Sequence, residues 1–144
     1  MKRIICTLFI GLAILSFSSC NKDDDTNFKY VALKVVRAEL PESFDLNKTY
    51  KIKVTYTNPN GCTYFEGFDV IKDSLTTRRV IPIGTTLTDH NPCEEIAKEV
   101  EVSFNFIVLY KDKYLFRFWA GEDENGKDQY LEIEVPVVGT STNK

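Results

Sequence analysis

A chain of 144 residues holds one ordinary domain once a processing segment is set aside. Hydrophobic residues make up 43% and aromatics 12%, and the aromatics cluster in stretches rich in Val and Ile, a strand composition rather than a helix composition. All 21 acidic residues follow Cys20, and removing Lys2 and Arg3 from the 18 basic ones leaves 16, a net charge near −5 for the remainder; that balance excludes the basic surface with which proteins neutralise nucleic-acid phosphates.

Residues 1–19 read as a signal peptide rather than as structure. Lys2 and Arg3 form a basic start, and Ile4 to Leu15 form an apolar stretch broken only by Cys6, Thr7 and Gly11. That stretch is shorter than the roughly 20 apolar residues a bilayer span needs. Small residues then precede a cysteine, in Phe17-Ser18-Ser19-Cys20. The segment Leu15 to Cys20 resembles a lipobox, with Phe17 standing where Leu, Val or Ile is more usual. The resemblance implies cleavage by lipoprotein signal peptidase and a lipid anchor on Cys20. Each buried acyl CH₂ contributes about 0.8 kcal/mol, so two or three chains hold a protein stably on a membrane.

Residues 20–27 form a tether. The run Cys20-Asn21-Lys22-Asp23-Asp24-Asp25 resembles the acidic export signal of surface lipoproteins in the Bacteroidota. The resemblance assigns Lys22, Asp23, Asp24 and Asp25 to a signal read by lipoprotein export machinery and places the chain on the outer face of the outer membrane. Read without that resemblance, the run is a solvated spacer.

Export also sorts the four cysteines. Cys6 leaves with the signal and Cys20 carries lipid, so Cys62 and Cys93 remain as a pair in an oxidising compartment. A disulfide between them is expected. It closes a loop of about 32 residues and contributes roughly 3–4 kcal/mol. Two cysteines and one histidine are an incomplete metal set.

Residues 28–138 read as strands divided by turns. Tyr30 to Leu40 comes first, ended by Pro41. Lys48 to Thr57 alternates, with Tyr50, Ile52, Val54 and Tyr56 on one face and Lys51, Lys53 and Thr55 on the other. Asn58-Pro59-Asn60-Gly61 is a turn. Cys62 to Ile71 follows, with Gly67 marking a bulge. Thr76 to Ile83 is expected to be short and peripheral, because Pro82 cannot donate to a ladder. Gly84 to Cys93 reads as a polar loop and Glu94 to Lys98 as one helical turn. Glu99 to Val108 alternates again, burying Val102, Phe104, Phe106 and Val108. Tyr114 to Ala120 and Gln129 to Val138 end the set, and 139–144 is a polar tail. With Asn125-Gly126 as a two-residue turn, Phe118 faces Ile133, Arg117 faces Glu134 and Trp119 faces Glu132.

Seven short strands point to an all-β sandwich. The stretch Asp112-Lys113-Tyr114-Leu115-Phe116 is similar to the tyrosine corner of immunoglobulin-like domains, which implies an Ig-like sandwich. Phe116 stands where those domains often have a disulfide-bonded Cys. The alternative is a meander, with Val108 to Tyr114 turning tightly within one sheet.

Candidate chemistry is sparse. His90 is the only histidine, and Asp89 beside it in sequence cannot supply triad geometry. The acidic stretch from Gly121 to Asp128 is either a solvated hairpin tip or a calcium loop, with Asp123 expected opposite Asp128. Trp119 with Arg117 and Glu132 forms a mixed aromatic and polar surface that could hold a sugar ring, or a Trp packed beneath a neighbouring segment. No cofactor motif is present. The reading is a non-enzymatic surface lipoprotein binding a protein or glycan partner. The alternatives are a structural envelope component and, behind it, a hydrolase.

Overall fold

The computed structural model describes residues 27–89, 92–95 and 97–139. Among these the chain forms ten strands and no helix: β1 (Phe28–Ala32), β2 (Lys34–Glu39), β3 (Phe44–Asp45), β4 (Thr49–Asn58), β5 (Thr63–Lys72), β6 (Thr77–Leu87), β7 (Lys98–Ile107), β8 (Tyr114–Glu122), β9 (Asp128–Val135) and β10 (Val137–Val138). Three sheets result. One holds β1, β5, β6, β8 and β9, a second has the order β2-β4-β7, and β3 pairs with β10 in parallel.

Alternation decides the faces. Ile52, Val54 and Tyr56 of β4 are buried, while Lys51 and Lys53 between them are exposed. Thr55, on the outer face, is also buried; the Arg37 guanidinium lies over it and donates to its hydroxyl at 3.3 Å. Val35, Ile52, Val54 and Phe106 from the three-stranded sheet share one core with Val80, Phe116, Phe118 and Val135 from the larger sheet. Phe106 meets Phe116 and Tyr114 edge-on, with ring centroids 5.0 and 5.2 Å apart. Burying each such ring contributes about 1.5–3 kcal/mol.

The expected first strand is two. The chain leaves the larger sheet at Ala32, buries Leu33, and enters the smaller sheet at Lys34. β6 corrects a second expectation: it is central and long rather than peripheral and short. β5 lies along one edge; on the other edge β8 pairs in parallel with Thr77 to Val80, and β1 pairs antiparallel with Ile83 to Leu87. Pro82 falls in the gap between those two neighbours, so its missing N–H interrupts no ladder there, and its carbonyl accepts from Leu33 N–H at 2.8 Å. β6 also takes in Gly84 to Leu87, expected as loop, and Glu94 and Glu95 are not helical. Gly67 does follow a register shift in β5.

β7 and β8 belong to different sheets, so residues 108–113 cross the core and do not make a hairpin within one sheet. The Tyr114 hydroxyl holds that crossing, accepting the backbone N–H groups of Leu109 and Tyr110, each at 3.1 Å. Arg78 is buried beside it, its guanidinium over the Phe106 and Tyr114 rings and donating to the carbonyls of Ser74, Leu75 and Thr77. Those bonds satisfy a charge that would be costly to bury alone.

Candidate functional site

The site is the outer face of the five-stranded sheet. On β6 the side chains of Arg78, Val80 and Pro82 point into the domain and Gly84 is buried on the same face, so Arg79, Ile81, Ile83, Thr85 and Leu87 point out. Directly paired residues of neighbouring strands share a face. The pairings therefore place Phe28 beside Leu87, Tyr30 and Tyr64 on either side of Thr85, and Arg117 between Arg79 and Glu132. Tyr30 and Tyr64 stand about 10 Å apart across β6, two strand spacings.

The β8–β9 register differs from the expected one. Phe118 faces Leu131, Phe116 faces Ile133, Arg117 faces Glu132 and Trp119 faces Tyr130. The turn is longer than two residues. Gly126 N–H donates to the Asp123 carbonyl and Asp123 N–H to the Lys127 carbonyl, with Gly126 at φ +73°. That is a three-residue hairpin loop closed by a glycine bulge. A second irregularity between Trp119 and Glu122, with Gly121 at φ +95°, moves the pairing one residue further. The two shifts add to two residues, so from Tyr114 to Trp119 each side chain keeps its expected face while changing its partner.

Of the residues singled out in the sequence, Arg117 and Glu132 come into contact, with Arg117 Nε donating to Glu132 Oε1 at 2.9 Å. Trp119 lies on the same face, and its Nε1 donates to Asp128 Oδ1 at 2.8 Å. Tyr130 completes the cluster. Its ring lies under the Arg117 guanidinium at 4.3 Å, and its hydroxyl is 3.3 Å from Asp128 Oδ2. Arg79 enters from β6, pairing with Asp73 at 3.0 Å. The hydrogen bond with the Tyr130 hydroxyl, and then the Asp73 charge, hold its pKa above the ordinary arginine value. Glu134, expected to meet Arg117, pairs instead with Lys113 at 2.8 Å.

Asp123 is not opposite Asp128; Glu122 is. The Asp123 carboxylate faces its own turn, accepting the N–H groups of Asn125 and Lys127 through Oδ1 and the Gln129 amide through Oδ2. Cys62 and Cys93 form a disulfide. Next to it, Leu87 N–H donates to the Cys62 carbonyl and Gly61 N–H to the Glu94 carbonyl. Cys20, Lys22, Asp23, Asp24, Asp25 and His90 lie outside the described residues.

Tyr130, Arg79, Tyr30 and Tyr64 were not singled out from the sequence, and Asp128 was expected opposite Asp123 in the hairpin tip rather than beneath Trp119. Tyr130 was legible in principle, since it alternates with Leu131 along β9. Tyr30 and Tyr64 were not, because only the central position of β6 puts them in one row. Comparison with family models, with curated proteins and with solved structures returns no match for this chain.

Proposed function

We propose that this chain is an outer-membrane lipoprotein, anchored through Cys20 and exposed at the cell surface, whose single domain binds a glycan or protein partner without catalysis. The address rests on the lipobox-like end of residues 1–20 and on the acidic run Asp23 to Asp25. The binding role rests on one observation: an outer sheet face that holds Trp119, Tyr130 and Arg117 in fixed geometry. An indole, a phenol and a guanidinium plane, edged by carboxylates, offer stacking surfaces and hydrogen bonds together, which suits sugar rings as well as peptide side chains. The carboxylates of that cluster are engaged, Asp128 by Trp119 and Tyr130 and Glu132 by Arg117. They orient rings rather than stand free as an acid–base pair.

An Ig-like reading of the sandwich is part of this proposal. The Tyr114 hydroxyl, bonded to the backbone of Leu109 and Tyr110, supports it, since that is the tyrosine-corner arrangement. The parallel β6–β8 pair is a departure from two antiparallel sheets.

Affinity electrophoresis of the purified mature protein through gels carrying envelope or capsular polysaccharides tests the binding role. Retardation that is lost in Trp119→Ala and Arg117→Ala is the expected result. Migration unchanged in every gel, together with no cross-linked protein partner on intact cells, overturns it.

A further inference from the structure

We infer that the end of the larger sheet bearing Phe28, Tyr30 and Tyr64 is seated in the headgroup zone of the membrane that holds the anchor, a reading that rests on lipidation of Cys20. Asn27, the first described residue, is tied into the domain: its carbonyl accepts the Thr88 N–H at 2.8 Å. Seven residues separate Cys20 from Phe28, and fully extended they span no more than about 25 Å. The β1 end of the domain therefore stays next to the bilayer.

That end carries the exposed rings. Phe28 is 39% exposed, Tyr30 69% and Tyr64 54%. Phe28 pairs with Leu87, and Tyr30 and Tyr64 both pair with Thr85, near the last residue of β6. Phe28 and Tyr30 pack edge to face with centroids 5.6 Å apart, forming one aromatic surface. Tyrosine combines an apolar ring with a polar tip and concentrates where hydrocarbon meets water. Electrostatics does not provide the attraction, because a chain with three aspartates beside its anchor is repelled by anionic headgroups. The rings do, so the seat forms on zwitterionic lipid.

The chain has a single tryptophan, Trp119. It lies one residue beyond Phe118, the partner of Val80 in a parallel pair, so Thr85 lies about 13 Å further along the sheet. Two proteins then measure depth at two heights: the mature lipidated wild type, reporting Trp119, and a Tyr30→Trp, Trp119→Phe variant, reporting position 30. Both are placed in phosphatidylcholine vesicles brominated near the headgroups. Quenching at position 30 roughly twice that at Trp119 or more is expected of a ring in the interfacial belt. Equal, weak quenching in proteins that float with the vesicles overturns the seat and leaves the lipoprotein reading standing. Tryptophan has its own affinity for interfaces, so the native rings are tested separately by hydrogen exchange. Exchange in β1 slows in vesicle-bound wild type relative to the unlipidated Cys20→Ala protein, and a lipidated Phe28→Ser, Tyr30→Ser, Tyr64→Ser variant loses that slowing. No slowing in wild type also overturns the seat. A protein that fails to float and has an unmodified N-terminus by mass overturns the lipoprotein reading, and the seat with it.

Discussion

On the outer face of the three-stranded sheet, charges neutralise one another in water: Lys53 lies 3.8 Å from Glu39 and 3.3 Å from Glu101, and Arg37 lies 3.7 Å from Glu39. On the outer face of the five-stranded sheet, charges hold rings. Arg117 spans Glu132 and the Tyr130 ring, and Asp128 takes the Trp119 indole. Both faces come from the same two-residue alternation over a shared core. Exposed ion pairs contribute about 0–1 kcal/mol each, so the first face needs no partner to be satisfied in water. The second exposes aromatic area that water does not satisfy, and two of its rings, Tyr30 and Tyr64, are more than half exposed. On the proposed reading, the five-stranded sheet is the side offered for contact.

The comparison breaks most readily at the disulfide, which joins Cys62, in the β4–β5 connection just before the aromatic sheet resumes, to Cys93 in the β6–β7 connection. Replacing Cys62 and Cys93 with Ser is expected to cost about 3–4 kcal/mol in urea unfolding. Amide exchange should accelerate first in β5 and the end of β6, where Leu87 N–H meets the Cys62 carbonyl. Equal acceleration in β4 and β7 would mean that the two faces stand or fall together. A smaller change, Tyr114→Phe, removes the acceptor of two backbone N–H groups at the crossing between sheets. It should cost about 1–3 kcal/mol and loosen both faces alike, read as a lowered urea midpoint with exchange rising in β7 and β8 together. Lys53→Ala should change stability by no more than about 0.5 kcal/mol. A loss well beyond that in the same urea assay would show that the charged face is part of the frame rather than a solvated surface.

Much of the frame is legible in the chain. The alternation in β4 and β7 names the buried side chains because each of these strands has one wet face and one dry one. The expectation of export predicts the Cys62–Cys93 bridge, and the Asp112 to Phe116 stretch points to the Tyr114 hydroxyl bonds. The site is only partly legible. Arg117, Trp119 and Glu132 can be assigned to one face, whereas Tyr130 and Asp128, which hold Trp119 and Arg117 in place, depend on the true register.

Local sequence thus determined which side of each strand is dry and where most of the turns fall. Those properties depend on residues a few positions apart, and they hold whatever the neighbouring strand is. Tertiary structure alone decided who the neighbours are. A period of two cannot distinguish registers that differ by two residues, so the β8–β9 pairing was settled by the glycine bulges at Gly121 and Gly126. Pro82 looked like an edge residue because it lacks an N–H. It sits in the central strand because the pairing of β6 with β8 ends and its pairing with β1 begins on either side of it, leaving no donor required at that position. That gap is made by two segments more than eighty residues apart in the chain, and no local pattern around Pro82 records it.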